Sequence, residues 1–271
     1  MTMGGTPGQD RQVPAIVRAA KILDLLAESD QPLGISDLAR RLGLPKSSVH
    51  LICSTMLELG LLSRRGESQF VVGPHVLRWS DAFQGQSDLI REFQQLTAES
   101  GVLSGLAVNL TVLNGTDVLY VACRNGQHPL GVRFGVGMLL PAVFTATGKA
   151  ILSTRRPAEV EAFVGDRMPL PMTSKSVRSV GELMAELAET RRRGYSIDNG
   201  QLREGMFCLA APIFDSSSQS AVAGVAIGLL QSEVTPASEQ ELGASIVAFA
   251  NELSRRLGAR LPQRDHLPER A

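Results

Sequence analysis

The sequence predicts an α+β chain of two domains: a small helical one closed by a β-hairpin, then a larger one with a largely antiparallel sheet. Three observations predict it. A length of 271 residues fits roughly two domains, each able to bury its own core. Ile35 to Leu62 reads as a helix, a tight turn, a second helix and the entry to a strand. Further along, strand-like runs in hairpin order with helices at the ends indicate an antiparallel α+β domain.

The first helix runs over Val13 to Ala27, with Ile16, Ala19, Ala20, Leu23, Leu26 and Ala27 at helical spacing. Ser29-Asp30-Gln31-Pro32 ends it. Ser36 suits the N-cap of a short helix, Asp37 to Leu42, and Gly43 stops that helix before Leu44-Pro45 turns the chain. The next helix spans Lys46 to Leu59, and Gly60 fits its left-handed cap. Leu61 to Arg65 and Gln69 to Val72 flank Gly66-Glu67-Ser68 as a hairpin. Helices follow at Gly73 to Gln84 and Asp88 to Glu99. In the second domain, strands are predicted at Leu103–Leu110, Asp117–Cys123, Leu130–Phe134, Tyr195–Asn199, Met206–Phe214 and Ala221–Leu229. Helices are predicted at Thr145–Ser153, Pro157–Phe163, Val180–Arg193 and Pro236–Leu257. The resulting domains are 12–73, a linker helix over 74–87, and 88–258, with tails at 1–11 and 259–271.

Composition removes several classes. With 44% apolar residues and no apolar run of ~18, a membrane span is not expected. The first ten residues lack the basic start and apolar stretch of a secretion signal. Three scattered cysteines give neither a disulfide framework nor a metal site, so no cofactor is expected and a cytoplasmic setting fits. The net charge is zero, yet Arg11 to Trp79 holds nine basic and six acidic residues, a balance compatible with a phosphate backbone.

The first domain is therefore read as a winged helix-turn-helix, whose second helix enters the DNA major groove. Lys46, Ser47, Ser48 and His50 stand on its first turns, where base and phosphate contacts are made. Val49, Ile52 and Leu57 belong to the core beneath. Arg64 and Arg65 lie on the wing, and Arg18, Ser36 and Leu51 complete the DNA-facing set. The same pattern also fits an ordinary helical domain. Arg40 and Arg41 read as a solvated helix face.

These residues resemble the IclR family of bacterial regulators over about Pro14 to Leu257. Pro14 to Leu23 resembles the family's opening helix, and Leu42-Gly43-Leu44-Pro45-Lys46-Ser47-Ser48-Val49-His50 its recognition motif. Gly137-Met138-Leu139-Leu140-Pro141, running on to Thr147-Gly148-Lys149-Ala150, resembles its pocket segment, and Gly194 to Asp215 its signature. The resemblance implies a GAF-like effector domain, assembly as dimers or dimers of dimers, and control of genes by small organic or aromatic acids. It also implies that backbone amides of Ala146 and Thr147 bind an oxyanion, where a helix begins and its dipole favours an anion. Asp198 and Cys208 match pocket positions.

Several positions depart from the family pattern. Gln201 stands for a usual Glu, Leu139 for an Arg, Val143 for a His, and Leu51 for an Arg of the recognition helix. Ala226 and Gly228 replace serines that bind small acids in relatives. With Phe134 and Phe144 as further lining, the pocket is expected to be more apolar or roomier, and the effector a larger, partly apolar or aromatic acid.

Cys208 alternatively reads as a buried core thiol, and Asp198 as the cap of a turn. An enzyme would need a base beside Cys208, and His128 is the sole histidine of the second domain proper. It stands in a turn, so a DNA-binding regulator of duplex operators is the preferred reading. A ligand sensor that has lost DNA binding is the third reading, and Leu51 is its only hint.

Overall fold

A computed structural model describes residues 13–101, 103–126, 134–165 and 168–260. The chain divides into two compact units, Met1–Gln86 and Ser87–Ala271. The tail at 1–11, residues 261–271 of the other tail, His128 and all but Phe134 of the expected strand Leu130–Phe134 lie outside the described residues. Phe134 itself is not in a strand.

The first unit contains α1 (Pro14–Ala27), β1 (Leu33–Gly34), α2 (Ile35–Leu42), α3 (Lys46–Glu58), β2 (Leu62–Arg65), β3 (Gln69–Val72) and α4 (His75–Gln86). Ile22, Leu38, Val49, Cys53, Met56 and Phe70 form its core. Both helices of the central pair end the same way. Gly43 and Gly60 take the left-handed conformation, at φ 65° and 70°. The next amides, of Leu44 and Leu61, reach back to the carbonyls of Ala39 and Met56 at 3.0 and 2.9 Å. This local cap chemistry explains why the sequence shows the ends of α2 and α3. Two features differ from expectation. Ser36 is not the N-cap: α2 starts two residues earlier, Gly34 is the cap, and its N–H is accepted by the Asp37 carboxylate at 3.4 Å. The short strand β1 also adds to the hairpin in the order β1-β3-β2, pairing Leu33 with Phe70.

The second unit contains α5 (Asp88–Glu99), β4 (Ala107–Asn114), β5 (Asp117–Arg124), β6 (Leu139–Pro141), α6 (Ala146–Ser153), α7 (Pro157–Val164), α8 (Val180–Arg193), β7 (Ser196–Asn199), β8 (Met206–Ile213), β9 (Ala223–Leu230) and α9 (Pro236–Arg256). Six antiparallel strands run in the order β6-β5-β4-β9-β8-β7. Side-chain alternation sorts each strand between two cores. From β8, Phe207, Leu209, Ala211 and Ile213 pack with α5 and α9, whereas Met206, Cys208 and Ala210 pack with α6, α7 and α8. The strand expected at Leu103–Leu110 begins later, at Ala107. Residues 103–106 form a turn instead, with the Leu106 N–H on Leu103 O at 3.2 Å, and the Arg124 guanidinium takes the carbonyls of Thr97 and Leu103. Strand β6 was not expected. It covers part of the segment read as pocket.

Candidate functional site

The DNA-facing candidates sit on α3 and the hairpin. Val49, Cys53 and Met56 bury one stripe of α3, which leaves Lys46, Ser47, His50 and Leu51 exposed and Ser48 half-buried. Leu51 is 69% exposed, so packing does not account for it. A groove of about 490 Å³ lies between α3 and the hairpin, lined by Ser36, Asp37, His50, Ser54 and Arg64. Ser54 was not singled out in the sequence, although it stands one helical turn after His50. Arg64 donates to the Glu67 carbonyl at 3.4 Å, which holds its guanidinium at the hairpin tip, and Arg65 beside it is exposed. Arg18 is half-buried on α1. Arg40 pairs with Asp37 at 2.8 Å on the surface, an ion pair of little energetic consequence.

The ligand candidates gather at the start of α6, against the sheet. Thr145 caps the helix by accepting from the Gly148 N–H at 3.1 Å. Ala146 and Thr147 are its first two residues, whose amides have no carbonyl four residues back within the helix. Two glycines allow this placement. A Cβ on Gly148 would lie 2.1 Å from the Ala142 carbonyl oxygen, and one on Gly224 would lie 2.9 Å from the Thr147 carbonyl oxygen. Ser196 of β7 donates to Ala146 O at 2.5 Å and ties the first turn to the edge strand.

Beneath the helix start lies a narrow cavity. It is lined by Asn109, Tyr120, Phe134, Thr145, Ala146, Thr147, Asp198, Leu202, Cys208 and Ala226. The space open to the centre of a water molecule is about 10 Å³, room for one water. Little space is open there, and Tyr120 stacks on Phe134 at its wall with ring centroids 5.3 Å apart. Three expected lining residues are placed elsewhere. Val143 and Phe144 lie in the core around α6, and Gly228 is paired between Ala107 and Cys208 with no side chain to offer, so none of them lines the cavity.

Asn109 and Tyr120 were not singled out in the sequence. Asn109 and Thr111 are alternate polar positions within the apolar run Ala107–Leu113 of β4, a signal that was present. Tyr120 depends on a β-bulge. Leu110 pairs with Ala122 but Thr111 pairs with Tyr120, so Val121 is the extra residue. The bulge brings Tyr120 and Cys123 to one face, where strict alternation would separate them.

The electrostatics are those of a buried polar site. The Asp198 Oδ1 accepts from the amides of Gln201 at 2.7 Å and Leu202 at 3.4 Å, so this carboxylate caps a turn as well as lining the cavity. Burial pushes its carboxyl above the ordinary range, while Lys149 and the two amides pull it down. Lys149, 1% exposed, donates to Glu186 at 2.8 Å, and Glu186 accepts from the Gln201 side chain at 2.6 Å. Burial pushes the Cys208 and Tyr120 groups far up, which keeps both protonated. A Cys208 thiol held protonated is no nucleophile. Among the described residues, no group of three or more His, Cys, Asp or Glu is placed to hold a metal, and no helix is long and apolar enough to cross a membrane.

Known proteins match both parts of the chain. Residues 15–66 match the IclR helix-turn-helix domain, and residues 83–255 match the bacterial transcriptional regulator IclR C-terminal domain. The HTH-type transcriptional regulator BhcR of Paracoccus denitrificans is 29% identical over 93% of this chain and 90% of its own length. The crystal structure of the Agobacterium tumefaciens repressor BlcR is 44% identical, with a TM-score of 0.61 over 92% of this chain and 99% of that one. An IclR homolog from Microbacterium hydrocarbonoxydans, solved in complex with 4-hydroxybenzoate, is 20% identical with a TM-score of 0.68 over 90% of this chain and 97% of that one. The relatives are regulators of transcription and not enzymes, and the chain belongs to the IclR family of bacterial transcriptional regulators.

Proposed function

We propose that the protein is a ligand-controlled, dimeric regulator that reads a pseudo-palindromic operator in the cytoplasm. Residues 12–73 form the reader, 74–87 the linker helix and 88–258 the effector domain. Lys46, Ser47, Ser48 and His50 supply major-groove contacts, with Leu51 beside them, while Arg18, Ser36, Arg64 and Arg65 face the DNA around them. The observation that carries the reading is the exposed first turns of α3 beside an exposed Arg pair on the hairpin.

Self-association to a dimer, or a dimer of dimers, is supported by α4. None of its residues is buried, yet it carries Val76, Leu77, Trp79 and Phe83, all exposed. Val76, Trp79 and Phe83 share a helical face. A second copy covering that face would place two readers side by side, as a two-fold operator requires.

The effector is a small organic acid whose carboxylate sits at the amides of Ala146 and Thr147, with Asp198 and Cys208 beside it. Coupling between the two sites is typically ~1–3 kcal/mol, a shift of roughly 5–150-fold in DNA affinity. Selection of genomic fragments by the purified protein, followed by anisotropy across a salt series, tests the reading. Enrichment of a pseudo-palindrome with a steep negative salt slope is the expected result. No enrichment and a shallow slope would remove the reader and leave a ligand sensor.

A further inference from the structure

We infer that Leu51 reads a thymine of the operator by packing on its C5-methyl group, and so sets the base preferred at one position of each half-site. This rests on α3 being the DNA reader.

Leu51 follows Val49 by two residues and precedes Cys53 by two. At about 100° per residue it points away from both. Val49 and Cys53 are 0% and 1% exposed, so the leucine stands on the ridge of α3 opposite the buried stripe. A lone exposed leucine is ordinary on a protein surface. This one stands where a major groove would receive the helix. Its neighbours one turn away are short: Ser47, Ser48 and Thr55, whose hydroxyl donates to the Leu51 carbonyl at 3.2 Å. His50 turns instead toward the hairpin, where it lines the groove with Ser54 and Arg64.

The surroundings of Leu51 favour a duplex as its partner. Lys46 to Leu57 contains no carboxylate. Lys46 and the hairpin residues Arg64 and Arg65 are exposed, and their charge complements phosphates. Chemistry then selects the base. A leucine side chain has neither a donor nor an acceptor. Against the edge of adenine, guanine or cytosine it would strip water from polar groups and leave them unpaired. Thymine alone presents an apolar group in the major groove, its C5-methyl.

The probe for the test is the duplex that the purified full-length protein enriches most strongly from genomic fragments. Each thymine in it is replaced in turn by deoxyuridine, which lacks only the methyl group, and affinity is read by fluorescence anisotropy. One thymine in each half-site is expected to stand out, with its replacement weakening binding about four-fold, the gain from burying one methyl. Leu51→Ala should weaken binding to the thymine duplex and bring the thymine-to-uracil ratio at that position close to unity. Leu51→Met keeps an apolar contact and should keep part of the ratio. Both changes lie on the surface and should leave the melting temperature nearly unaltered. A ratio that survives in Leu51→Ala, as when another residue or the stiffness of the duplex senses the methyl, overturns the inference. So does a duplex in which no single thymine matters. If the enriched duplex is bound equally well by Leu51→Ala, only this inference fails. If no sequence is enriched, the inference fails together with the reader.

Discussion

The ammonium of Lys149 on α6 donates to Glu186 on α8 at 2.8 Å from a position almost fully removed from water. Glu186 in turn holds the Gln201 side chain, and the Gln201 amide holds Asp198. The pocket carboxylate is therefore positioned by a chain of hydrogen bonds that starts at a buried cation. Removing one partner of a buried ion pair strands the other charge. Lys149→Met should cost roughly 2 kcal/mol, less than for a fully buried pair because Glu186 is partly exposed. Lys149→Met with Glu186→Leu should recover part of that loss. Urea unfolding midpoints of the three proteins check the prediction, and an additive double variant would refute the pairing.

The approach of α6 to the sheet depends on two absent side chains. Gly148→Ala would drive a Cβ into the Ala142 backbone, which cannot rotate away. Destabilisation by roughly 3 kcal/mol or more is expected from such overpacking. Gly43→Ala makes a useful contrast. Nothing lies within 4 Å of its new Cβ, and the cost is backbone strain at φ 65°, about 1 kcal/mol. Thermal melts of both variants give the comparison.

Asp198 makes stability depend on pH. Its folded carboxyl titrates above the unfolded value because burial disfavours the charge. The folded state therefore holds the proton more tightly. The stability it contributes is present below the unfolded pKa and is lost as pH rises through the folded one. Asn keeps the oxygen that accepts from Gln201 and Leu202 but never ionises. Asp198→Asn should match the wild type in acid and become the more stable protein toward neutrality, as unfolding free energies from pH ~4 to ~8 will show.

On the DNA side, Arg64→Ala and Arg65→Ala should weaken binding to all sequences alike. Taking away the partner of one phosphate should flatten the slope of log affinity against log salt by about 0.9. His50→Ala should instead change the preference among sites, by ~1–3 kcal/mol at one base pair. Equal effects on specific and random duplexes would reassign His50 to the backbone.

Trp79→Ser with Phe83→Ser should weaken self-association, since both rings are half exposed on a helix with no buried residue. Sedimentation velocity across a dilution series reads the change. An unaltered assembly would move the interface elsewhere.

The sequence by itself determined the helix-turn-helix and most of the helices, because their signals are local. A glycine in the left-handed conformation, an N-capping Ser87, Thr145 or Ser179, and apolar spacing act within a few residues of where they are read. It also located the start of α6, where Ala146 and Thr147 line the cavity. Tertiary structure alone decided the rest. Strand β1 is two residues long and exists only through its pairing with β3. The turn over 103–106 is held by Arg124, which is distant in sequence. The bulge at Val121 reverses which face Tyr120 meets, and no period-2 pattern records an inserted residue. Phe144 and Val143 read as lining but became core, because burial at one layer or another depends on packing and not on hydrophobicity. Asn109 stood in plain view as a polar residue in an apolar strand. Only the register with Ala226, and the helix start above it, made that residue part of a site.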